Sequence, residues 1–304
     1  GMALAKHDVN FLAGELVEEL IKALGFPREG LLKWLSKPLF WSPMVRFSEL
    51  AVKFEELVFQ QGFQKASAWF ISNFVDSVTV MGAQAIPAAG PLIIASNHPG
   101  AYDSLVIAAS LPRSDVKIIS SPIPFLERFS FAYEHLIFSD QDAHARMAVV
   151  RKSLKHLEDG GALLVFAGGT IDPDPASMPG TEKALARWSS SLGLFLRRVP
   201  RAKMTIAFIS GILDPRFIEH PLTILRRSRV DKQRISEFFQ VIRQLLTPGR
   251  LLVSPQISFA DPLSLADLGG NQSLPALSRE IICRAMAQYH FHLNQLVSRQ
   301  GTGA

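Results

Sequence analysis

Cysteine is almost absent from this chain: Cys283 is the one such residue in 304. A lone thiol excludes a disulfide-stapled scaffold and any zinc site built on several cysteines, and it suits a reducing compartment. Its place on an apolar helix stripe makes Cys283 an expected core residue. Charge is sparse too, at 19%, against roughly 25% in ordinary soluble chains, which excludes disorder, a coiled coil and an acidic tail. Long apolar runs are also missing. The longest uncharged stretch, between Asp76 and Asp103, is interrupted by Gly82, Pro87, Gly90, Pro91, Pro99 and Gly100. A membrane-spanning helix needs about 20 predominantly apolar residues, and backbone this irregular would leave polar groups unpaired in hydrocarbon. No basic stretch leads into an apolar core and small-residue cleavage site near the first residues. The expectation is a cytoplasmic protein that meets a membrane only peripherally, on its inner face.

Several motifs are lacking as well. The chain has no Gly-rich dinucleotide loop, no Walker-type loop and no Gly-x-Ser-x-Gly elbow. The net charge of +5 and pI of about 9.4 suit nucleic acid, anionic lipid or a phosphorylated small molecule. Nucleic acid is not expected, because no reading motif or basic–aromatic surface pattern accompanies the charge. Basic residues gather at Arg226, Arg227, Arg229, Lys232 and Arg234, and earlier at Arg197, Arg198, Arg201 and Lys203. Such groups could meet lipid headgroups, CoA phosphates or an acidic carrier protein, or form a solvated basic face. His144 lies near Asp140 and Asp142, but without a second set of ligands no metal is expected.

What is present is enough apolar material, 48% of 304 residues, for a substantial core in one large or two smaller domains. Residues 1–75 read as an N-terminal helical bundle or hairpin. Leu16, Val17, Leu20, Ile21 and Leu24 form one stripe, opened by Asp8 and closed by Gly25 and Pro27. Ser42 and Pro43 read as an N-cap and first-turn pair for a second helix carrying Val45, Leu50, Phe54, Leu57 and Val58. A third, after Gly62, carries Phe63, Trp69, Phe70 and Phe74.

From residue 76 to 304 short apolar runs alternate with amphipathic stripes. Strands are expected at Val78–Met81, Leu92–Ser96, Lys117–Ser120, Ala162–Phe166 and Met204–Ile212, with a weaker one at Leu251–Phe259. Helices are expected on Met147, Val150, Leu154 and Leu157, on Leu185, Trp188, Leu192 and Phe195, on Ile235, Phe238, Ile242 and Leu245, and from about Leu277 to Leu296. His290 and His292 read as partly exposed positions of that last helix. The fold class is therefore α/β, with a mixed, largely parallel sheet flanked by helices behind the N-terminal helical region.

Ligands of open α/β sheets lie beyond the carboxyl ends of the strands. The run Asn97-His98-Pro99-Gly100-Ala101-Tyr102-Asp103-Ser104 leaves a strongly apolar strand there. On one helix His98 and Asp103 would point about 140° apart. Pro99-Gly100 forbids that helix and turns the chain, so the carboxylate can fold back toward the imidazole. Asp103 would then also head the next helix. A carboxylate on one ring nitrogen fixes the tautomer and raises the basicity of the other. That is the base half of a catalytic triad without its serine, so the attacking group would come from the substrate, typically a hydroxyl. The spacing is equally met by a helix-capping Asp103 beside an ordinary loop histidine.

This run resembles the first signature, His-x-x-x-x-Asp preceded by Asn, of the glycerol-3-phosphate and 1-acylglycerol-3-phosphate acyltransferase family. Phe166-Ala167-Gly168-Gly169-Thr170 falls where that family has Phe-Pro-Glu-Gly-Thr. The resemblance extends over most of the chain from Asp76 onward, and some soluble members carry an N-terminal helical domain. It implies that His98 is the general base and Asp103 its orienting partner, with Asn97, Ser104, Phe166, Gly168, Gly169 and Thr170 at the substrate site. It also implies an acyl-CoA or acyl-carrier-protein thioester as donor, a lipid-like acceptor bearing a hydroxyl or an amine, and no further cofactor.

Departures are visible too. The second signature's phosphate-binding arginine is matched by Gln141 in Ile137-Phe138-Ser139-Asp140-Gln141. The third loses its Pro-Glu to Ala167-Gly168 and continues as Asp172-Pro173-Asp174-Pro175, which reads as hostile to a phosphate. The proline of the fourth is matched by Ala207. Arg113, Lys117, Arg128 and Arg146 are the cations that could replace the missing arginine. An acyltransferase with an acceptor other than glycerol-3-phosphate or lysophosphatidic acid is the expectation; the alternative is a non-catalytic lipid- or acyl-binding protein on the same fold.

Overall fold

The segment Leu92-Ile93-Ile94-Ala95-Ser96 is apolar on both faces, and such a strand is stable only when both are covered. In the computed structural model, which describes residues 6–23, 31–139, 143–224, 228–270 and 272–300, it lies at the middle of a seven-stranded sheet. The chain begins with helices α1 (Lys6–Ala23), α2 (Leu31–Gln61) and α3 (Phe63–Ile71). It continues through β1 (Thr79–Met81), β2 (Leu92–Ser96), α4 (Asp103–Ser110), β3 (Val116–Ser120), α5 (Ser130–Tyr133), β4 (Leu136–Phe138), α6 (Ala143–Glu158) and β5 (Ala162–Phe166). Then come α7 (Thr181–Leu185), α8 (Ser191–Arg198), β6 (Lys203–Ser210), α9 (Pro215–Ile218), α10 (Pro221–Ile224), α11 (Arg229–Leu246), β7 (Gln256–Phe259) and α12 (Leu274–Gln300).

The strand order is β1-β7-β6-β2-β5-β3-β4. Every pairing is parallel except β6 with β7, so the mixed, largely parallel sheet expected from the sequence is present. Alternation along β2 sorts its side chains between two cores. Leu92 and Ile94 join Phe70, Val106 and Ile242 beneath α2, α3, α4 and α11. Ile93 and Ala95 join Leu157, Phe195 and Leu277 beneath α6, α8 and α12. Register places Ser96 beside both Phe166 and Ala207, which brings the carboxyl ends of β2, β5 and β6 to one edge.

Several expectations need correction. Helix α2 does not start at Ser42; it runs from Leu31 straight through Pro38 and Pro43. An interior proline costs about 3 kcal/mol, but Phe40 and Met44 on either side are buried in the core, and Phe40 meets the Phe238 ring at 6.0 Å. Packing overrides the local signal. Leu20 and Ile21 have no described side chains, and Leu24, Gly25 and Pro27 lie outside the described residues. The stripe from Leu185 to Phe195 is two short helices, because the Ser189 N–H leaves the helical pattern to bond Ala167 O at 2.9 Å. Met147 is 61% exposed at the open side of α6. Cys283 is exposed on α12 rather than core. His292, by contrast, is fully buried, with Ser210 Oγ at 2.7 Å from Nε2 and Ser258 Oγ at 2.9 Å from Nδ1, and burial pushes its pKa down to about 4. The short edge strand β4 was not expected; three residues carry too little pattern to mark it.

Candidate active site

The chain leaves β2 at Ser96 and must reverse before α4. Asn97 holds the exit: its side-chain NH2 donates to Ile209 O and its Oδ1 accepts from Ile209 N–H, both at 2.9 Å. With both polar atoms engaged and 1% exposure, Asn97 ties β2 to β6. Both side-chain atoms through which Asn97 was expected to meet substrate are thus engaged within the fold. Ser104 sits half-buried in the first turn of α4.

His98 and Asp103 meet. The imidazole Nδ1–H donates to Asp103 Oδ2 at 2.8 Å, and the same oxygen accepts the Gly100 N–H at 3.1 Å. Asp103 is fully buried, whereas the His98 ring is 28% exposed. The N-cap of α4 is Tyr102, so Asp103 stands inside the first turn with its carboxylate turned to the histidine instead of to the helix end. Phe166, at the end of β5, stacks on the imidazole at 4.2 Å and 21°. Nδ1 is thus committed and one ring face covered; Nε2 is the ring nitrogen these contacts do not engage.

The turn after β5 is zipped to the His98 loop. His98 N–H donates to Asp172 Oδ2 at 3.0 Å, and Asp172 N–H donates back to His98 O at 2.8 Å. Gly169 closes the turn at φ +69°, with its N–H on Phe166 O. Gly168 permits close approach of the carboxylate, since a Cβ there would lie 2.8 Å from Asp172 Oδ1. Gly169 and Thr170 are exposed beside this turn.

The acidic loop does not line the site in the way its sequence suggests. Asp172 and Asp174 are 1% and 0% exposed. Asp174 accepts N–H bonds from Gly211, Ile212 and Ala176 at 2.9 Å and from Leu213 at 3.2 Å, anchoring the chain after β6. Burial nonetheless raises the pKa of both carboxyls, against those amide bonds for Asp174 and against His98 for Asp172. Leaving even two such N–H groups unpaired costs about 1–3 kcal/mol each. Asp174→Ala is accordingly expected to destabilise the protein by about 3–5 kcal/mol in denaturant unfolding, and Asp174→Asn by clearly less.

A polar stripe on α11 was missed by the sequence reading. Gln233, Glu237, Gln240 and Gln244 are all buried, spaced at helical intervals. Gln233 donates to Pro99 O and Asp172 O at 2.7 Å. Glu237 accepts the Ala101 N–H. Gln240 donates to Ile212 O at 2.8 Å and to the Tyr102 hydroxyl at 3.1 Å, and Gln244 donates to Phe74 O and Leu251 O. The signal is legible in hindsight: four long polar side chains follow one helix face beside the apolar stripe Ile235, Phe238, Ile242 and Leu245.

Electrostatics around the imidazole are dominated by acids. Burial disfavours its charged form, but Asp103, Glu237 and Asp172 together outweigh that and raise the His98 pKa above the ordinary histidine value. Burial pushes Glu237 up to about 7.

Arg113, Lys117 and Arg128 do not bring their charge to this edge, whereas Arg146 is in the first turn of α6, the helix that follows the carboxyl end of β4. Arg113 donates to Pro87 O, Gly90 O and Gly160 O and pairs with Asp115, all at the amino ends of β2 and β5. Lys117 pairs across from Leu163, three residues or about 10 Å short of the carboxyl edge. Arg128 pairs with Glu15 and lies over the Phe11 ring. Arg146 is exposed on α6. From the basic cluster, Arg229 donates to Ile171 O and Gln233 Oε1, while Arg197 and Arg198 are exposed on α8. Asp140, Gln141, Asp142, Arg226 and Arg227 lie outside the described residues, as does the side chain of His144.

Residues 77–198 match a family model described as Acyltransferase, a span that contains His98, Asp103, Phe166 and Asp172 but not α11. Among solved structures the chain is similar to the 1-acyl-sn-glycerophosphate (LPA) acyltransferase PlsC from Thermotoga maritima. Identity is 16% and the TM-score 0.46, covering 96% of this chain and 98% of that one. No curated protein matches the sequence.

Proposed function

We propose, from the match of residues 77–198 to the acyltransferase family model, that the protein moves a fatty acyl group from a thioester to a hydroxyl of a lipid-like acceptor. The observation that carries the reading is the 2.8 Å bond from His98 Nδ1–H to the buried carboxylate of Asp103. It fixes the tautomer that leaves Nε2 unprotonated, poised to accept a proton. The acceptor O–H gives its proton to Nε2 as its oxygen attacks the thioester carbonyl carbon. Collapse of the tetrahedral adduct breaks the carbon–sulfur bond, and the departing thiolate takes the proton back from Nε2. The products are an ester and a free thiol, with His98 restored and no residue acylated.

The thiol carrier in this reading is coenzyme A or acyl-carrier protein. Each buried methylene of the acyl chain contributes about 0.8 kcal/mol, enough for a long chain to anchor the donor. For the acceptor, Gln141 in the place of an arginine loses a charge-assisted, bidentate phosphate contact. We therefore favour an acceptor with no phosphate at that position, such as a neutral or amino-bearing lysolipid. Among the described residues no helix is long and apolar enough to cross a membrane. Contact with a lipid surface would be peripheral, through exposed cations such as Arg197 and Arg198.

Thiol release from long-chain acyl-CoA and acyl-carrier-protein donors tests this, with lysolipid, amino-lipid and glycerol-3-phosphate acceptors offered in turn. Release that depends on the lysolipid or amino-lipid, and exceeds that with glycerol-3-phosphate, is expected. Donor binding without release in any combination would instead favour a non-catalytic acyl-binding protein.

A further inference from the structure

Between His98 and Asp103 the chain reverses through two consecutive peptides, and each N–H is taken by a different buried carboxylate. Gly100 N–H goes to Asp103 Oδ2, from within the loop's own end, and Ala101 N–H goes to Glu237 Oε1, from the middle of α11. Glu237 is 6% exposed and lies against Gly100 so closely that a Cβ there would come within 2.9 Å of Oε1 and 2.5 Å of the Ile212 side chain. A buried acid normally has a paired cation or several donors. Here the ionisable groups around it are His98, Asp103 and Tyr102 on the β2 side and Arg234 on its own helix, while α2 presents the Phe40 ring to the neighbouring Phe238.

We propose that Glu237 is a positioning residue for His98: in its ionised form it holds the Gly100–Ala101 turn and stabilises the protonated imidazole. The inference rests on His98 acting as the base. A charge-assisted bond from an amide to a carboxylate is stronger than one to the neutral acid, so ionisation tightens the turn that sets the His98–Asp103 distance. The same charge adds to those of Asp103 and Asp172, so ionised Glu237 further favours the imidazolium when His98 holds the acceptor's proton. Because burial brings Glu237 to about 7, its ionisation falls in the neutral range. The fully basic site therefore forms only as pH rises through that range.

The test pairs a substrate-free titration with a pH profile. With ring-labelled histidine, the His98 signal (identified by its loss in His98→Ala) is followed by NMR in wild type and in Glu237→Gln. Glutamine keeps an acceptor for Ala101 N–H and removes the charge. The His98 inflection is expected to move down by about 0.5–1 pH unit, and the acidic limb of kcat/KM to move down with it, while KM changes little. Glu237→Asp is expected to restore part of the shift. In wild type alone, the Ala101 amide resonance should titrate near pH 7, which keeps the proposal open to refutation even if a variant folds poorly. An unmoved His98 inflection in Glu237→Gln, or an Ala101 amide that stays flat across the neutral range, would overturn it. Transfer that survives His98→Ala would instead refute the base assignment, leaving the titration coupling to be judged by itself.

Discussion

His98→Ala lowers acyl transfer by about a thousandfold or more, in a protein that is still folded at the assay temperature. A positioned general base contributes typically about 10²–10⁴-fold, and no other described side chain shares the position: Asp103 is fully buried behind the imidazole. Asp172 uses Oδ2 on the His98 backbone N–H, and its Oδ1 is buried against Gly168. Neither can take the acceptor's proton in place of Nε2. Folding should survive because the histidine contributes its backbone, not its ring, to the link with the Asp172 turn. The ring also stacks on Phe166 and donates to Asp103; its loss leaves the buried carboxylate with the Gly100 N–H, so the melting temperature falls while the protein stays folded under assay conditions. Steady-state thiol release together with a melting curve reads both quantities.

Asp103→Asn is expected to be nearly as damaging, lowering kcat by about 10³–10⁴-fold while leaving KM within a few-fold. The substitution keeps size and shape at a site with no exposure, so it isolates charge and tautomer. An amide oxygen can still accept the Gly100 N–H, now 3.1 Å from Asp103 Oδ2. That same position faces Nδ1, so an amide oxygen there keeps both bonds but brings no charge, whereas an amide NH2 there forces Nδ1 to accept, moves the ring proton to Nε2 and leaves the Gly100 N–H without its acceptor. The imidazolium also loses its closest counter-charge. The pH profile follows the same sign: removing this carboxylate lowers the His98 pKa, so whatever activity remains extends to lower pH.

The parts of the fold that sequence makes legible are those with a strong period. Leu92–Ser96 and Ala162–Phe166 are apolar on both faces and stand where they were expected, flanking the site. The interior of α2 was not legible, because proline and serine signal a helix start locally and only burial of Phe40 and Met44 overrules them. Cys283 and His292 fail in opposite directions on the same helix for a shared reason: periodicity gives a face, but not which neighbour covers it. In the site, the meeting of His98 and Asp103 was legible from a turn and a spacing, whereas Phe166 entered through the family resemblance and its stack on the imidazole is seen only in the fold. Asp172 and Asp174 were visible as acids, yet their sense was inverted, since loop carboxylates that accept backbone N–H groups cannot be told by sequence from carboxylates that line a cleft. Glu237 was out of reach of local pattern, being 136 residues from its partner Ala101. Only the polar face of α11 hinted at it.

In the proposed reaction the attacking oxygen belongs to the acceptor and His98 moves its proton, with no acylated residue on the way. A rapid-quench experiment tests it directly: wild-type protein is mixed with a long-chain acyl thioester, with and without acceptor, and both thiol release and the intact protein mass are followed. Thiol is expected only in the presence of acceptor, with the protein mass unchanged throughout. A stoichiometric burst of thiol without acceptor, together with an acyl-sized gain in protein mass, would contradict it.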